Sequence, residues 1–465
     1  MSSRTLLVGA VVVVVVVAAL VAVFYHSGGG SSTAPSPSST SPPAASTTQS
    51  TSTAPATGTP TATSPTASQT ATSTSPMTAG SKELRLPIGV LVDESGPTSD
   101  VGRDYARGVV AAIKYFNKKG IYTRDGVRVY LDYVKRDYAY NPSRAVEFYQ
   151  EFRDKYHVVA IIGWGTADTE KLADQTAQDK ILYISASYAA TLVKKPYNFF
   201  PAPDYSTQAC AAVAWMAQRG GKTLALLYDH KVAYSKSPIP AIKAYAPKEG
   251  LKIVADVDLP LGATGADAER AVTQVMGSKP DFMWCGNTIS SCALAAKSAA
   301  VHGLNSVMVV NVWGFDERFP QRAGKEVAGR AAGVSPWIWP EYAKDKPGYR
   351  LLYEAAEMAG LKPSQVNLRF MQGFINVWLL VKAIERTTSK ELQAKKGEAL
   401  KEALESSCHG DPIRLGDITP PMRYCPGNHL AFKSVYIVLY GSDGKFHFLG
   451  PVEPKGFDCV AATKG

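Results

Sequence analysis

Ile88-Gly89-Val90-Leu91-Val92, then the loop 93–100 (Asp-Glu-Ser-Gly-Pro-Thr-Ser-Asp), then a stretch carrying Tyr105, Val109, Ile113 and Phe116, sets the pattern of this chain. The first run is short and apolar throughout, as a strand covered on both faces is. The four later residues fall at i, i+4, i+8 and i+11, which is one stripe of a helix. The loop between them is built from turn formers. This strand–loop–helix unit recurs. Strands are expected at 127–131, 158–162 and 181–184. After a proline-containing crossover at 199–204 they resume at 223–228, 252–256, 281–284 and 307–311. Helical patterns separate them; one opens at Asn141-Pro142, an N-cap followed by proline at the first helical position. Such alternation predicts an α/β fold of two similar lobes with parallel sheets flanked by helices. The carboxyl third reads as helices at 345–359, 367–387 and 391–405. A hairpin follows at 434–448, turning at Asp443-Gly444.

The amino-terminal region reads differently. Residues 6–25 are an unbroken apolar run, and 20 helical residues span about 30 Å, the thickness of a bilayer core. Arg4 precedes the run and no Lys or Arg follows until Lys82, which keeps the amino terminus inside and the rest outside. The expectation for 1–26 is a transmembrane anchor, with a long signal peptide as the alternative. From 27 to 80 only Gln49, Gln69 and Met77 differ from Ser, Thr, Pro, Ala and Gly. Residues 27–82 therefore predict a disordered tether with a reach of about 40 Å, of a composition suited to O-glycosylation. The folded part is expected at 83–455, with a loose tail at 456–465. The chain would be a single-pass protein of the cell membrane whose carboxyl-terminal domain is extracellular. The net charge of +10 is interspersed along the chain and gathers into no basic stripe, so no nucleic-acid partner is indicated.

Ligands of open parallel sheets sit at the carboxyl ends of the strands. That directs attention to the loops 94–100, 164–168, 185–189, 229–235, 286–290 and 311–316. Several place Ser or Thr beside Gly at a helix start, where free N–H groups and hydroxyls suit a carboxylate. No nucleophile elbow, zinc-protease motif or phosphate loop occurs, and no cofactor or metal is indicated. The chain is not expected to be an enzyme; an extracellular enzyme and a sensor ectodomain stand as alternatives. Of the six cysteines, Cys408 with Cys425 and Cys285 with Cys292 are the disulfide candidates. Cys210 reads as a buried helical thiol, and Cys459 lies in the tail.

The loop Ser95-Gly-Pro-Thr98, the helix with Gly102 and Gly108, Gly163-Trp-Gly-Thr166, the stretch from Ile184 to Leu192, Pro196-Tyr-Asn-Phe199 and Pro203-x-Tyr205-Ser206-x-Gln208 carry a resemblance. From about Leu84 to Val452 the chain resembles the branched-chain amino-acid binding proteins, the type I periplasmic solute-binding components of ABC importers. The motifs from Gly163 to Gln208 resemble one subgroup of that family whose ligands are mostly unassigned. The resemblance implies two Rossmann-like lobes, 84–204 with 338–413 and 205–337 with 420–452, that close on a solute. It implies a ligand carboxylate held by Gly165, Thr166 and Ala167 and by Ser187, Tyr188 and Ala189; Ser95, Thr98 and Trp164 are further ligand-binding candidates on this lobe. On the second lobe it implies Tyr234, Asn287 and position 313. Amino-acid binders carry an acid at that last position; this chain has Trp313, with Asp316 or Glu317 as nearby substitutes. The implied partners are a small organic solute (a branched-chain or other amino acid, or a related carboxylate or amide) and permease and ATPase subunits; the apolar run adds the membrane, and the protein is expected to act as a monomer.

Overall fold

The computed structural model describes residues 83–464. The anchor expected at 1–26 and the tether at 27–82 lie outside them. Among the described residues no helix is long and apolar enough to cross a membrane.

Two sheets organise the chain. The first has strands β1 (Glu83–Val92), β2 (Ile121–Tyr122), β3 (Arg128–Asp137), β4 (Ala160–Ile162), β5 (Leu182–Ile184) and β6 (Asn198–Phe199). Their order is β2-β3-β1-β4-β5-β6, parallel except for β2. The second has β7 (Thr223–Tyr228), β8 (Lys252–Asp258), β9 (Phe282–Cys285), β10 (Val307–Val310), β11 (Ala331–Ser335), β12 (Val435–Tyr440) and β13 (Phe446–Val452). Its order is β13-β12-β11-β10-β9-β7-β8, with only β12 running against the other strands. This is the two-lobed α/β arrangement the alternation predicted. In each sheet the chain reverses its direction of travel, between β1 and β4 and between β7 and β9, and the loops diverge there to leave a crevice.

Local chemistry accounts for the elements. Leu86, Ile88, Val90, Leu91 and Val92 of β1 are all buried, as a central strand requires. The stripe Tyr105, Val109, Ile113 and Phe116 is buried along the helix Ser99–Lys119. Asn141 caps the helix Pro142–Asp154, accepting from Ser143 N at 2.9 Å. Gly108 and Gly373 mark where the helix Leu368–Glu385 crosses Ser99–Lys119. A Cβ on Gly108 would lie 2.0 Å from Phe370 O, and one on Gly373 would lie 2.1 Å from Tyr105 O, so the two backbones touch.

Several details depart from the sequence reading. Strand β3 continues to Asp137 instead of stopping at 131. The region 391–405 is two helices, Ser389–Lys395 and Gly397–Glu405, broken where Lys396 turns to φ 53°. The disulfides Cys285–Cys292 and Cys408–Cys425 form as expected. The reading of Cys210 as a free thiol and of Cys459 as part of a loose tail is corrected: the two are bonded to each other. Phe457 stacks on Tyr245 at 4.9 Å and Cys459 is buried, so the tail is pinned to the second lobe.

Candidate ligand-binding site

A narrow crevice, with about 20 Å³ open to the centre of a water-sized sphere and about 250 Å³ of empty space once the open solvent at its mouth is included, lies between the two sheets at the carboxyl ends of their strands. On the first lobe it is lined by Thr98 and Val101 after β1, Tyr140 after β3, Trp164, Gly165 and Thr166 after β4, and Ala186 after β5. On the second it is lined by Tyr205, Tyr234, Thr288 and Trp313.

Each polar group is positioned from behind. Asp93 accepts from Thr98 N at 2.9 Å and from its hydroxyl at 2.6 Å; that hydroxyl in turn accepts from Trp164 Nε1 at 2.8 Å. Thr166 and Ser187 share a hydroxyl–hydroxyl bond of 2.8 Å. Asn311 Oδ1 accepts from Tyr234 Oη at 2.6 Å and from Trp313 N at 3.0 Å. Trp313 Nε1 donates to Tyr205 Oη at 3.0 Å. The rings of Trp164 and Trp313 meet across the crevice edge to face, 4.8 Å apart. Burial raises the phenols of Tyr140, Tyr205 and Tyr234, so all three stay neutral at physiological pH.

Polar contacts around the cavity also join the lobes. Asp100 accepts from Ser290 N at 3.0 Å and from Ser290 Oγ at 2.7 Å. Arg318 Nη1 donates to Asp104 at 2.9 Å. Arg369, on the helix Leu368–Glu385, is fully buried and pairs with Asp316 at 3.0 Å.

Behind Gly165 stands Asp168, buried and accepting from Tyr138 Oη at 2.8 Å. Burial outweighs that bond and pushes its carboxyl up to about 7. The folded state therefore keeps a proton that the unfolded chain sheds near 3.8. The stability this group contributes is present below about pH 4 and is lost as the pH rises through 7. Asp168→Asn keeps the shape and removes the titration. It is expected to exceed the native protein in urea stability by roughly 2–4 kcal/mol at pH 8, with the gap closing by pH 4. A gap that stays constant across that range would mean an ordinary carboxylate at this position.

Of the residues the sequence singled out, Thr98, Trp164, Thr166, Tyr234 and Trp313 reach the cavity wall. Ser187 stands behind Thr166, and Tyr188 stacks behind Trp313 at 5.9 Å. Ala167 and Ala189 do not line the space, and Ser95 is exposed on its loop. Asn287 turns away from the cavity: it accepts from Ser235 Oγ and donates to Leu259 O at 2.7 Å. Asp316 is engaged by Arg369 and Arg318. Missed by the sequence reading were Val101, Tyr140, Ala186, Tyr205 and Thr288. Ending β3 six residues early hid Tyr140. Tyr205 follows the helix cap Asp204, and an aromatic at a crossover between lobes was the available signal.

The profile of the family described as periplasmic binding protein matches residues 85–445. The chain belongs to that family. It is 55% identical to an ABC transporter substrate-binding protein from Aeropyrum pernix whose structure is solved. That match covers 82% of this chain and 99% of that one, with a TM-score of 0.80. A branched chain amino acid ABC transporter protein from Thermus thermophilus with bound valine shares the fold at 19% identity and TM-score 0.72, covering 80% and 97%. A fatty acid ABC transporter substrate-binding protein from Thermomonospora curvata does so at 18% identity and TM-score 0.69, covering 81% and 94%. No curated protein matches the chain.

Proposed function

We propose that this protein captures a small organic solute outside the cell and delivers it to the permease of an ABC importer. In this reading the binding domain, 83–455, hangs from an anchor at 1–26 by a tether at 27–82 and works as a monomer. The observation that supports it is a cavity walled in part by each lobe at the ends of both sheets, so that a bound solute touches both halves at once. Binding is non-covalent: hydroxyls of the first lobe hold the solute's polar group and aromatic rings of the second cover the rest. The relatives' names as ABC transporter components support import as the use of that binding.

Mass spectrometry of the solute released on denaturing the purified protein, followed by a thermal-shift screen, tests this. A solute at a hundredfold excess over Kd should add about 2.7 kcal/mol to stability and be recovered unchanged. Chemical conversion of the solute would point to an enzyme. Thr166→Ala and Ser187→Ala should each weaken binding about tenfold, the first by removing a hydroxyl from the cavity wall and the second by removing the group that orients it, while the hydroxyl left behind keeps Tyr205 Oη beside it. The unfolding temperature of the free protein should change little. Unaltered affinity in both would place the solute elsewhere.

A further inference from the structure

None of the side chains lining the cavity is charged. An α-amino acid brings an ammonium, and an ammonium enclosed without a carboxylate is strongly disfavoured. The carboxylates around the cavity stand outside its lining and each is held by the protein through at least one oxygen, although Asp100 Oδ1 and Asp168 Oδ2 have no partner. Asp93 holds Thr98, Asp100 holds Ser290, and Asp316 holds two arginines. Asp168 lies behind Gly165 under Tyr138 and is held near neutrality by burial. A cage of rings can hold a cation, but Arg369 already sits over the Trp313 ring, its Cζ 5.1 Å from the centroid.

The donors point toward an anion. The helix Thr166–Gln178 starts at the cavity with Gly165 as its cap and turns its positive end there, although Thr166 N–H is taken by the Tyr140 hydroxyl and Asp168 N–H by its own carboxylate. Facing it, Thr288 caps the helix Ile289–Val301, and its hydroxyl is buried, lines the cavity and has no partner. Asp100 holds the next turn of that second helix through Ser290, so the second lobe offers chiefly this hydroxyl.

We propose that the cavity takes a small carboxylate lacking an ammonium group, held between Thr166 of the first lobe and Thr288 of the second, and that it rejects α-amino acids. The inference rests on the reading of the cavity as the solute site. The test uses the full-length protein and calorimetric titration with matched sets: leucine, 4-methylpentanoate and 4-methylpentanamide; phenylalanine, 3-phenylpropanoate and 3-phenylpropanamide. At least one acid should bind ten times more tightly than its amino acid and its amide. Thr288→Val should weaken that acid tenfold or more, and Thr288→Ser should restore it to within about threefold.

An amino acid that matches or beats its acid overturns the proposal, as does a Thr288→Val protein with unchanged affinity for the acid. Failure of both acids also overturns it, and the solute released on denaturation then shows what has failed. An amine or amide recovered there leaves the cavity reading standing without this ligand class. No released solute, and no thermal shift from a broad panel, sinks the cavity reading itself.

Discussion

Replacing Arg369 with methionine should lower the unfolding free energy by about 3–5 kcal/mol, toward the lower figure because Arg318 remains beside Asp316. The guanidinium is wholly buried and donates to Asp316 at 3.0 Å, Val312 O at 2.7 Å, Phe315 O at 3.0 Å and Gln372 Oε1 at 2.9 Å. Methionine fills much of the same volume and supplies none of those donors. A carboxylate, two carbonyls and an amide oxygen then lose their partner in a place water does not reach. Burial alone would push Asp316 up, but Arg369 and Arg318 outweigh it and hold the carboxyl below its usual range. The stabilisation is therefore present above the unfolded value of 3.8 and fades as the pH falls below it, so the gap between native and variant should narrow toward pH 3. Urea unfolding followed by tryptophan fluorescence measures it. A loss under about 1 kcal/mol would show that the pair does little beyond repaying its own desolvation. Adding Asp316→Leu to the variant should recover part of the loss.

Removing the bond between Cys210 and Cys459 by a double alanine substitution should cost at least as much. Chain entropy assigns about 5 kcal/mol to a cross-link of this span and about 3 to the shorter Cys408–Cys425 ring, both on the high side of what is usually measured. The sequence separations behind those figures are 249 and 17. Thermal and urea melts of the two double variants, with thiol titration to confirm loss of one bridge each, give the comparison. Equal losses would mean that the tail stays packed through Phe457 and Tyr245 without its covalent link.

What the sequence made readable follows from range. The strand at 88–92, its loop and the stripe ending at Phe116 are local patterns, and each appears where its periodicity placed it. Strand β11, Ala-Ala-Gly-Val-Ser, carries almost no β-branched residue and exists because β10 and β12 flank it. Strands of two residues, β2 and β6, are below what alternation can register. The same limit governs the cavity. Thr98, Trp164 and Thr166 stand in loops directly after strands, so position alone pointed to them. In the loop 286–290 position was not enough: Asn287 and Thr288 are neighbours, and only the fold decides that the amide turns toward Leu259 while the hydroxyl faces the cavity. Arg369 was invisible for the opposite reason. An arginine in an apolar helix looks like a surface residue until the loop bearing Asp316 is laid against it.

The bond between Cys285 and Cys292 ties the end of β9 to the first turn of the helix that carries Thr288 at its start. That staple fixes the segment before any solute arrives, so little ordering remains to oppose binding. Asn287 bonded to Leu259 on one side and Ser290 bonded to Asp100 on the other share that work, so Thr288 is fixed by one covalent link and by its two chain neighbours.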